Sequence, residues 1–163
     1  MRRIKVVSES TDLVPILRAF DAEVKRDVFQ KLIDNWLTAG QVQKEFGDPG
    51  LHALQLFEKT KLVETRWEVV DGKTEKAYHS YYTAFHINTS CSVQEIAEIL
   101  AIAAMEENRF EKIDDEVATM VPAEGFSARA IAEKFNMPLI RLKALLKRSS
   151  KLEFKGHLVK KVE

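Results

Sequence analysis

Two stretches of the sequence decide the fold that we predict: LTAGQVQKEFGDPGLHALQLFEK (37–59) and FSARAIAEKFNMPLIRLKALLKR (126–148). A constant offset of 89 residues aligns them without a gap. Thr38 and Ser127 match each other and are residue types that cap helix N-termini. Pro49 and Pro138 also match, and proline favours the first turn of a helix. Each stretch is therefore predicted to form two helices joined by a tight turn.

The segments around these stretches complete a known supersecondary order. The amphipathic segment AEVKRDVFQKLID precedes the first stretch, and the predicted strands LVETRWEVV and KAYHSYYTAFHI follow it around an Asp71-Gly72 turn. A shorter hairpin around Lys155-Gly156 follows the second. Helix, helix–turn–helix and hairpin is the order of a winged helix-turn-helix. We predict a mostly α fold with small β-hairpin wings, in which two tandem winged units are joined by a long helix.

Composition shifts along the chain suggest three domains. Residues 1–90 are predicted to form the first winged unit, with RRIKVV (2–7) as a short strand or arm. Residues 91–121 begin with a Ser92 helix cap and are predicted to be connecting and dimerisation helices. Residues 122–163 begin within a proline- and glycine-containing linker, VPAEG, and form the predicted second unit.

The charge distribution separates the two predicted units. The chain has 25 basic and 25 acidic side chains, but residues 71–126 hold 4 basic and 11 acidic ones, while residues 127–163 hold 10 basic and 3 acidic ones. The zero net charge therefore hides a basic C-terminal segment, which is typical of a protein with a polyanion partner. The alternative is a solvated basic segment docked on its acidic neighbour.

A basic second helix in a helix-turn-helix predicts contact with duplex DNA, because cations bind phosphates and Arg donates to guanine. The candidate DNA-binding side chains of the second unit are Arg141, Lys143, Lys147, Arg148, Lys151 and Lys155. The first unit contributes His52, Gln55, Lys59 and Lys73, with weaker contacts expected because Glu58 lies among them. The competing interpretation of the basic helix is a solvated face above an apolar stripe.

The segment IAEILAIAAM is apolar on more than one helical face, so it needs a second packing partner. Burial within one chain would satisfy it, and so would a homodimer interface. We predict a homodimer whose interface includes Ile96, Ile99, Leu100 and Ala103.

The residues favour no enzymatic, metal or cofactor site. We find no nucleophile–base arrangement and no glycine loop that cradles phosphate. Cys91 is expected to be a small apolar residue beside a helix cap. His79 and His86 lie on one predicted strand seven residues apart and so face opposite sides. The lack of a long apolar run and of a secretory leader predicts a cytoplasmic protein without a membrane segment.

Residues 10–90 resemble an ArsR-type winged helix-turn-helix regulator. The likeness lies in the leucine-containing first helix, in Lys25-Arg26 at the start of the next helix, in the helix–turn–helix, and in Lys61-Leu62-Val63 before the wing. Most of the chain is similar to archaeal regulators that begin with Arg-Arg-Ile-Lys-Val-like segments and keep a Cys-Ser pair after the wing, here Cys91-Ser92. The resemblance implies a dimeric, cytoplasmic, DNA-binding transcriptional regulator.

The sequence departs from the family pattern at two places, which bear on metal sensing and on base reading by the first unit. Metal-sensing members carry paired cysteines where this chain has Ala39-Gly40-Gln41-Val42-Gln43, so metal sensing at that position is not expected. The recognition helix of the family begins with Ser and Arg, where this chain has Gly50, Leu51 and His52. Base reading by the first unit is accordingly expected to be weak.

A second function class remains open from the sequence. The near-neutral first unit would also suit a winged-helix module that binds a protein of the transcription machinery without reading DNA directly. Trp36 and Trp67 would then be candidate interface anchors, since buried tryptophans often dominate protein interfaces.

Overall fold

The computed structural model describes residues 3–163, which fold into helices and short strands. The helices are α1 (Leu13–Ala19), α2 (Glu23–Asp34), α3 (Ala39–Lys59), α4 (Val93–Ala103), α5 (Glu107–Met120), α6 (Ala128–Lys134) and α7 (Leu139–Arg148). The strands are β1 (Ile4–Val7), β2 (Leu37–Thr38), β3 (Val63–Val70), β4 (Lys73–Ser80), β5 (Ala84–Ile87), β6 (Phe126–Ser127), β7 (Leu152–Lys155) and β8 (Leu158–Lys161). Strand β1 covers residues 4–7 of the strand predicted over residues 2–7; Arg3 precedes it, and Arg2 lies outside the described residues.

The chain divides into two compact units. The first contains the N-terminal residues through Val7 together with Ala19–Asn88, and the second contains Ser8–Arg18 together with Thr89–Glu163. This division differs from the boundaries expected from the sequence. Residues 8–18 group with the C-terminal part because Val14 is fully buried in its core, and residues 91–121 belong to the same core.

The first unit is built around an aromatic core. Phe29 of α2 contacts Phe57 of α3 edge to face at 5.2 Å between ring centroids, and Phe20 contacts Phe29 in the same way at 5.0 Å. Such pairs add about 0.5–1.5 kcal/mol beyond the burial of their area. Leu32, Leu54 and Leu62 are fully buried among these rings, which fixes α2 against α3.

Strands β2, β4 and β3 form an antiparallel sheet in that order. Asp71 and Gly72 at the β3–β4 turn both have positive φ, 51° and 78°, as a two-residue hairpin requires. The prediction of a single return strand over residues 76–87 is wrong. The chain leaves the sheet after Ser80, whose hydroxyl donates to the Tyr82 carbonyl, and β5 pairs instead with β1 in a parallel two-stranded sheet.

Helix α3 contains the predicted tight turn. Its N-terminus is a capping box in which Thr38 Oγ1 accepts from the Gln41 amide while Gln41 Oε1 accepts from the Thr38 amide. Gly47 has non-helical angles of φ 70° and ψ −161°, two residues before Pro49. The two halves of α3, which we call the first helix pair, therefore meet at a glycine kink.

The second unit repeats this order at the offset seen in the sequence. Helices α6 and α7, the second helix pair, span residues 128–148 where α3 spans residues 39–59. Their sheet has the order β6-β8-β7, matching β2-β4-β3. Asn136 has a φ of 50° at the position equivalent to Gly47. Ser127 caps α6 through the Ala130 amide, as its match Thr38 caps α3.

Helices α4 and α5 pack into the core of the second unit instead of forming one long connecting helix. The Ser92 hydroxyl caps α4 as predicted, and α4 ends at Ala103. Ile99 and Ile102 are buried in the same cluster as Leu142 and Leu145 of α7. Part of the broad apolar surface of α4 is thus buried within the chain.

The kink at Gly47 generates a stability prediction. A Cβ at Gly47 would meet only the Pro49 Cδ atom, at 3.7 Å, so Gly47→Ala is sterically free but strains the backbone. Glycine-only conformations cost other residues about 1–3 kcal/mol. Both tryptophans lie in the first unit, so the midpoint of its urea unfolding, followed by tryptophan fluorescence, is expected to fall. The control Asp71→Gly relieves a positive φ and should not lower the midpoint; an unchanged midpoint for Gly47→Ala would contradict the assigned turn.

Candidate nucleic-acid interface

Helix α7 has an apolar inner face and a basic outer face. Leu142, Leu145 and Leu146 point into the core of the second unit. Lys143 and Lys147 are exposed and lie one turn apart, and Leu139 extends the same face toward the start of the helix. The spacing of four residues places these three side chains in one row.

A groove runs beside Lys143, between α7, the start of α6 and the β7–β8 hairpin. Its volume is about 410 Å³, and Arg129 and His157 line it with Lys143. The Lys143 ammonium lies 5.9 Å from the centre of the Phe154 ring, within the range of a cation–π contact. Arg129, Phe154 and His157 were not among the predicted site residues. Of these three, only Arg129 had a signal in the sequence: the predicted helix cap at Ser127 places it in the first turn of α6.

Lys147 is held at the edge of this face by an ion pair. Its ammonium lies 2.7 Å from the Asp12 carboxylate, and both side chains are partly exposed. Lys155, near the tip of the second hairpin, lies 3.2 Å from Glu153 on its own strand. Exposed pairs of this kind contribute about 0–1 kcal/mol, so either lysine can exchange its carboxylate for another anion at low cost.

Arg141 and Lys151 point toward acidic helices of the same unit. The Arg141 guanidinium donates through Nε and Nη2 to the two Glu98 oxygens, with the Nη2 bond at 3.0 Å. This hydrogen bonding raises the pKa of Arg141 above its ordinary value, against the opposing effect of partial burial. Lys151 donates to Asp115, which raises the pKa of the lysine in the same way. Arg141 therefore faces α4 and does not stand on the outer row.

The structure contradicts the prediction for Arg148. The residue is 5% exposed, and its guanidinium donates to the carbonyls of Ile102 and Met105 at 2.9 and 2.7 Å. It also donates to Glu107 and lies 4.3 Å from the centre of the Phe110 ring. The buried Arg148 side chain joins α7 to the end of α4, because it is long enough to extend inward along the apolar face of α7.

The first helix pair presents a weaker set of polar side chains. His52, Gln55 and Lys59 are exposed on one face of α3, and Lys73 is exposed near the tip of the β3–β4 hairpin. Glu58 accepts from Lys76 at 2.6 Å, and this bond raises the pKa of Lys76. The acidic side chain expected to repel phosphate is thus paired with a cation on the hairpin.

The predicted dimerisation residues divide between core and surface. Ile99 and Ala103 are buried in the second unit at 0% and 8% exposure, so the prediction that they contact a partner chain is wrong. Leu100 is 47% exposed and Ile96 is partly exposed. The outward face of α4 carries Val93, Ala97, Leu100 and Ala104.

The two tryptophans have different environments. Trp36 stacks on His79 with ring centroids 5.1 Å apart, and the Arg66 guanidinium lies 4.0 Å above its ring. Trp67 is 68% exposed on β3 and has Val69, 75% exposed, on the same face two residues on. Trp36 therefore serves the packing of the first unit, and Trp67 presents an apolar surface.

The described residues bring no metal-ligand set together. Among residues 3–163, no group of three or more His, Cys, Asp or Glu side chains has an arrangement that would hold a metal ion. His79 and His86 lie on separate strands, β4 and β5, and not on one strand as predicted. None of the helices that the structure describes is long and apolar enough to cross a lipid bilayer.

Residues 7–163 match a protein family described as ArsR transcriptional regulator. The chain belongs to the ArsR family of transcriptional regulators. The match includes both helix pairs and both hairpins. No curated protein matches the sequence. The archaeal likeness and the winged helix-turn-helix details remain predictions.

The position of Arg148 generates the second prediction. Arg148→Ala would remove the hydrogen bonds from the guanidinium to the Ile102 and Met105 carbonyls and release α7 from α4, and hydrogen bonds to charged groups are worth about 1.5–3 kcal/mol each. We expect the variant to lose at least about 3 kcal/mol of unfolding free energy, measured by circular dichroism during thermal and urea unfolding. Lys143→Ala on the same helix should stay within about 0.5 kcal/mol of the parent. Equal stability of the two variants would show that Arg148 is a surface cation after all.

Proposed function

We propose that this regulator is a homodimer that binds double-stranded DNA through two tandem winged helix-turn-helix units, with the second unit making the principal contacts. The repeated element order at an offset of 89 residues supports the tandem arrangement. The protein would act in the cytoplasm, without enzymatic activity. Family membership supports the regulatory role.

The observation that carries the DNA assignment is the basic face of the second unit, made of Arg129, Lys143, Lys147 and Lys155. These cations stand on the outer row of α7, at the start of α6 and near the hairpin tip. Nonspecific affinity for DNA comes from cations that displace counterions from phosphates. A helix with flanking basic loops matches a major groove bordered by two phosphate backbones.

Base reading would fall to the first turn of α7, because recognition helices present their N-terminal residues to base edges. Leu139 is 37% exposed there and suits apolar contact with a thymine methyl group. The first helix pair would add weaker contacts through His52, Gln55, Lys59 and Lys73. Arg141 and Lys151 remain secondary candidates, since each must first leave its carboxylate partner.

The DNA assignment predicts a change in salt dependence. In Lys143→Gln plus Lys147→Gln, the loss of two phosphate contacts should lower the slope of log affinity against log salt by about 1.8. Fluorescence anisotropy with a labelled duplex at several salt concentrations measures that slope. The control variant, Lys44→Gln plus Lys112→Gln, removes the same charge from exposed positions off the basic face and should change the slope far less. Equal slopes for the two variants would remove the basic face from the binding site.

The dimer would form along α4. Val93, Ala97, Leu100 and Ala104 follow the alternating four- and three-residue spacing of a coiled-coil seam, and Val93 is 85% exposed. A seam of two such helices would cover side chains that water otherwise contacts. Two-fold pairing would also present two copies of the basic face to a pseudo-palindrome.

Leu100→Glu tests this seam. Two carboxylates brought together at an apolar interface repel each other and lose solvent, so the variant should sediment as a monomer at concentrations where the parent is dimeric. Thr119→Glu adds the same charge to an exposed position of α5 and should leave the mass unchanged. A monomeric parent, or a dimeric Leu100→Glu, would contradict the α4 interface.

One observation favours the alternative function of a protein-binding module. Trp67 and Val69 expose an apolar face on β3, which is an edge strand of its sheet. Edge strands can pair with a partner chain, and exposed aromatic residues are frequent interface anchors. Absence of any duplex binding at low salt would support this module over the DNA reader.

A further inference from the structure

The second unit contains a cavity that the principal proposed DNA contacts do not use. It lies between the end of α4, the start of α5 and the turn of the second helix pair, and its volume is about 750 Å³. That volume falls within the usual range of small-molecule sites, about 300–1,000 Å³. Met105, Ile113, Phe135 and Met137 contribute its apolar lining.

Two arginines border this apolar lining. Arg109 of α5 is exposed, and no carboxylate of the described residues pairs with it. Arg141 also lines the cavity, and Glu98 uses only its Nε and Nη2 donors, so its five-donor fork retains capacity toward a second anion. One acidic side chain, Glu106, shares the lining. An apolar chamber with guanidinium groups at its border complements an anion that carries an apolar body.

We propose that this cavity binds a small organic anion, of the class of medium-chain or aromatic carboxylates, with its charged group at Arg109 and Arg141. Its apolar body would occupy the space beside Phe135 and Met137. The choice of an anion follows from Arg109, which pairs with no carboxylate of the described residues, and from the Arg141 donors that Glu98 leaves unused. Glu98 and Glu106 balance the two arginines in total charge. A cation of the same shape would meet the Arg109 guanidinium and be repelled.

The site has a direct structural connection to the basic face. Met137 belongs to the turn that sets the start of α7, and Arg141 and Leu145 lie on α7 itself. A bound anion that shares Arg141 with Glu98 would shift the packing of α7 against α4, and α7 also carries Lys143 and Lys147. The cavity would therefore act as an effector site, and this regulatory part rests on the proposed DNA function.

Binding is tested with the full chain, using 8-anilinonaphthalene-1-sulfonate as a fluorescent probe and decanoate as its competitor. We expect one saturable probe site, displaced by decanoate and at least about ten-fold less effectively by decanol, which lacks the charge. Multiple weak probe sites, or equal displacement by the acid and the alcohol, would overturn the proposal.

Three variants test where decanoate binds and whether its negative charge is recognised. Arg109→Gln should weaken decanoate binding about ten-fold, whereas Glu106→Gln should strengthen it, because each removes one charge from the cavity border. Lys112→Gln, an exposed cation of α5 outside the cavity lining, is the matched control and should match the parent. Equal effects of Arg109→Gln and Lys112→Gln, or weaker binding in Glu106→Gln, would overturn the assignment.

The regulatory part has its own readout. Decanoate should shift the duplex affinity of the parent at least about three-fold at saturation, and Arg109→Gln should need about ten times more decanoate for the same shift. Saturable decanoate binding without any shift would reject the effector role. A protein that binds decanoate as described but no duplex would count against the proposed DNA function and leave the anion site in place.

Discussion

The Arg148 guanidinium joins the parts of the second unit on which the proposed site depends. It starts on α7, donates to two carbonyls at the end of α4, pairs with Glu107 at the start of α5 and lies on the Phe110 ring. A cation at a helix C-terminus also interacts favourably with the helix dipole. This contact and the burial of Leu142 and Leu145 together set the rotation of α7, which leaves Lys143 and Lys147 on its outer side.

The arrangement separates the basic residues of the C-terminal segment into distinct roles. Arg148 stabilises the core, Arg141 and Lys151 bind acidic residues of α4 and α5, and Lys143 and Lys147 remain on the outer row. The acidic middle of the chain and its basic end are thus partners within one unit. The basic segment would consequently offer a smaller surface to DNA than its composition indicates.

Local signals in the sequence were sufficient to predict the repeated helix pairs. These signals depend only on neighbouring residues: they are the caps at Thr38 and Ser127, the two prolines and the Asp71-Gly72 turn. The structure confirms the helices and strands that they begin or end. The assignment of Val14 to the second core was beyond sequence reasoning, because it depends on contacts with residues distant in the chain. The prediction for Arg148 was wrong for a related reason. Helical periodicity indicates on which side of a helix a residue lies, but it does not indicate whether a long side chain bends inward and becomes buried.

The central claim is that the second unit, and not the first, presents the main DNA surface. Amide hydrogen exchange of the full chain, with and without a bound duplex, tests it most directly, since protection reports which backbone segments become covered or more rigid. The account predicts new protection at the start of α6, in α7 and around residues 155–157, with smaller changes in the second half of α3. Protection confined to α3 and the β3–β4 hairpin would contradict it.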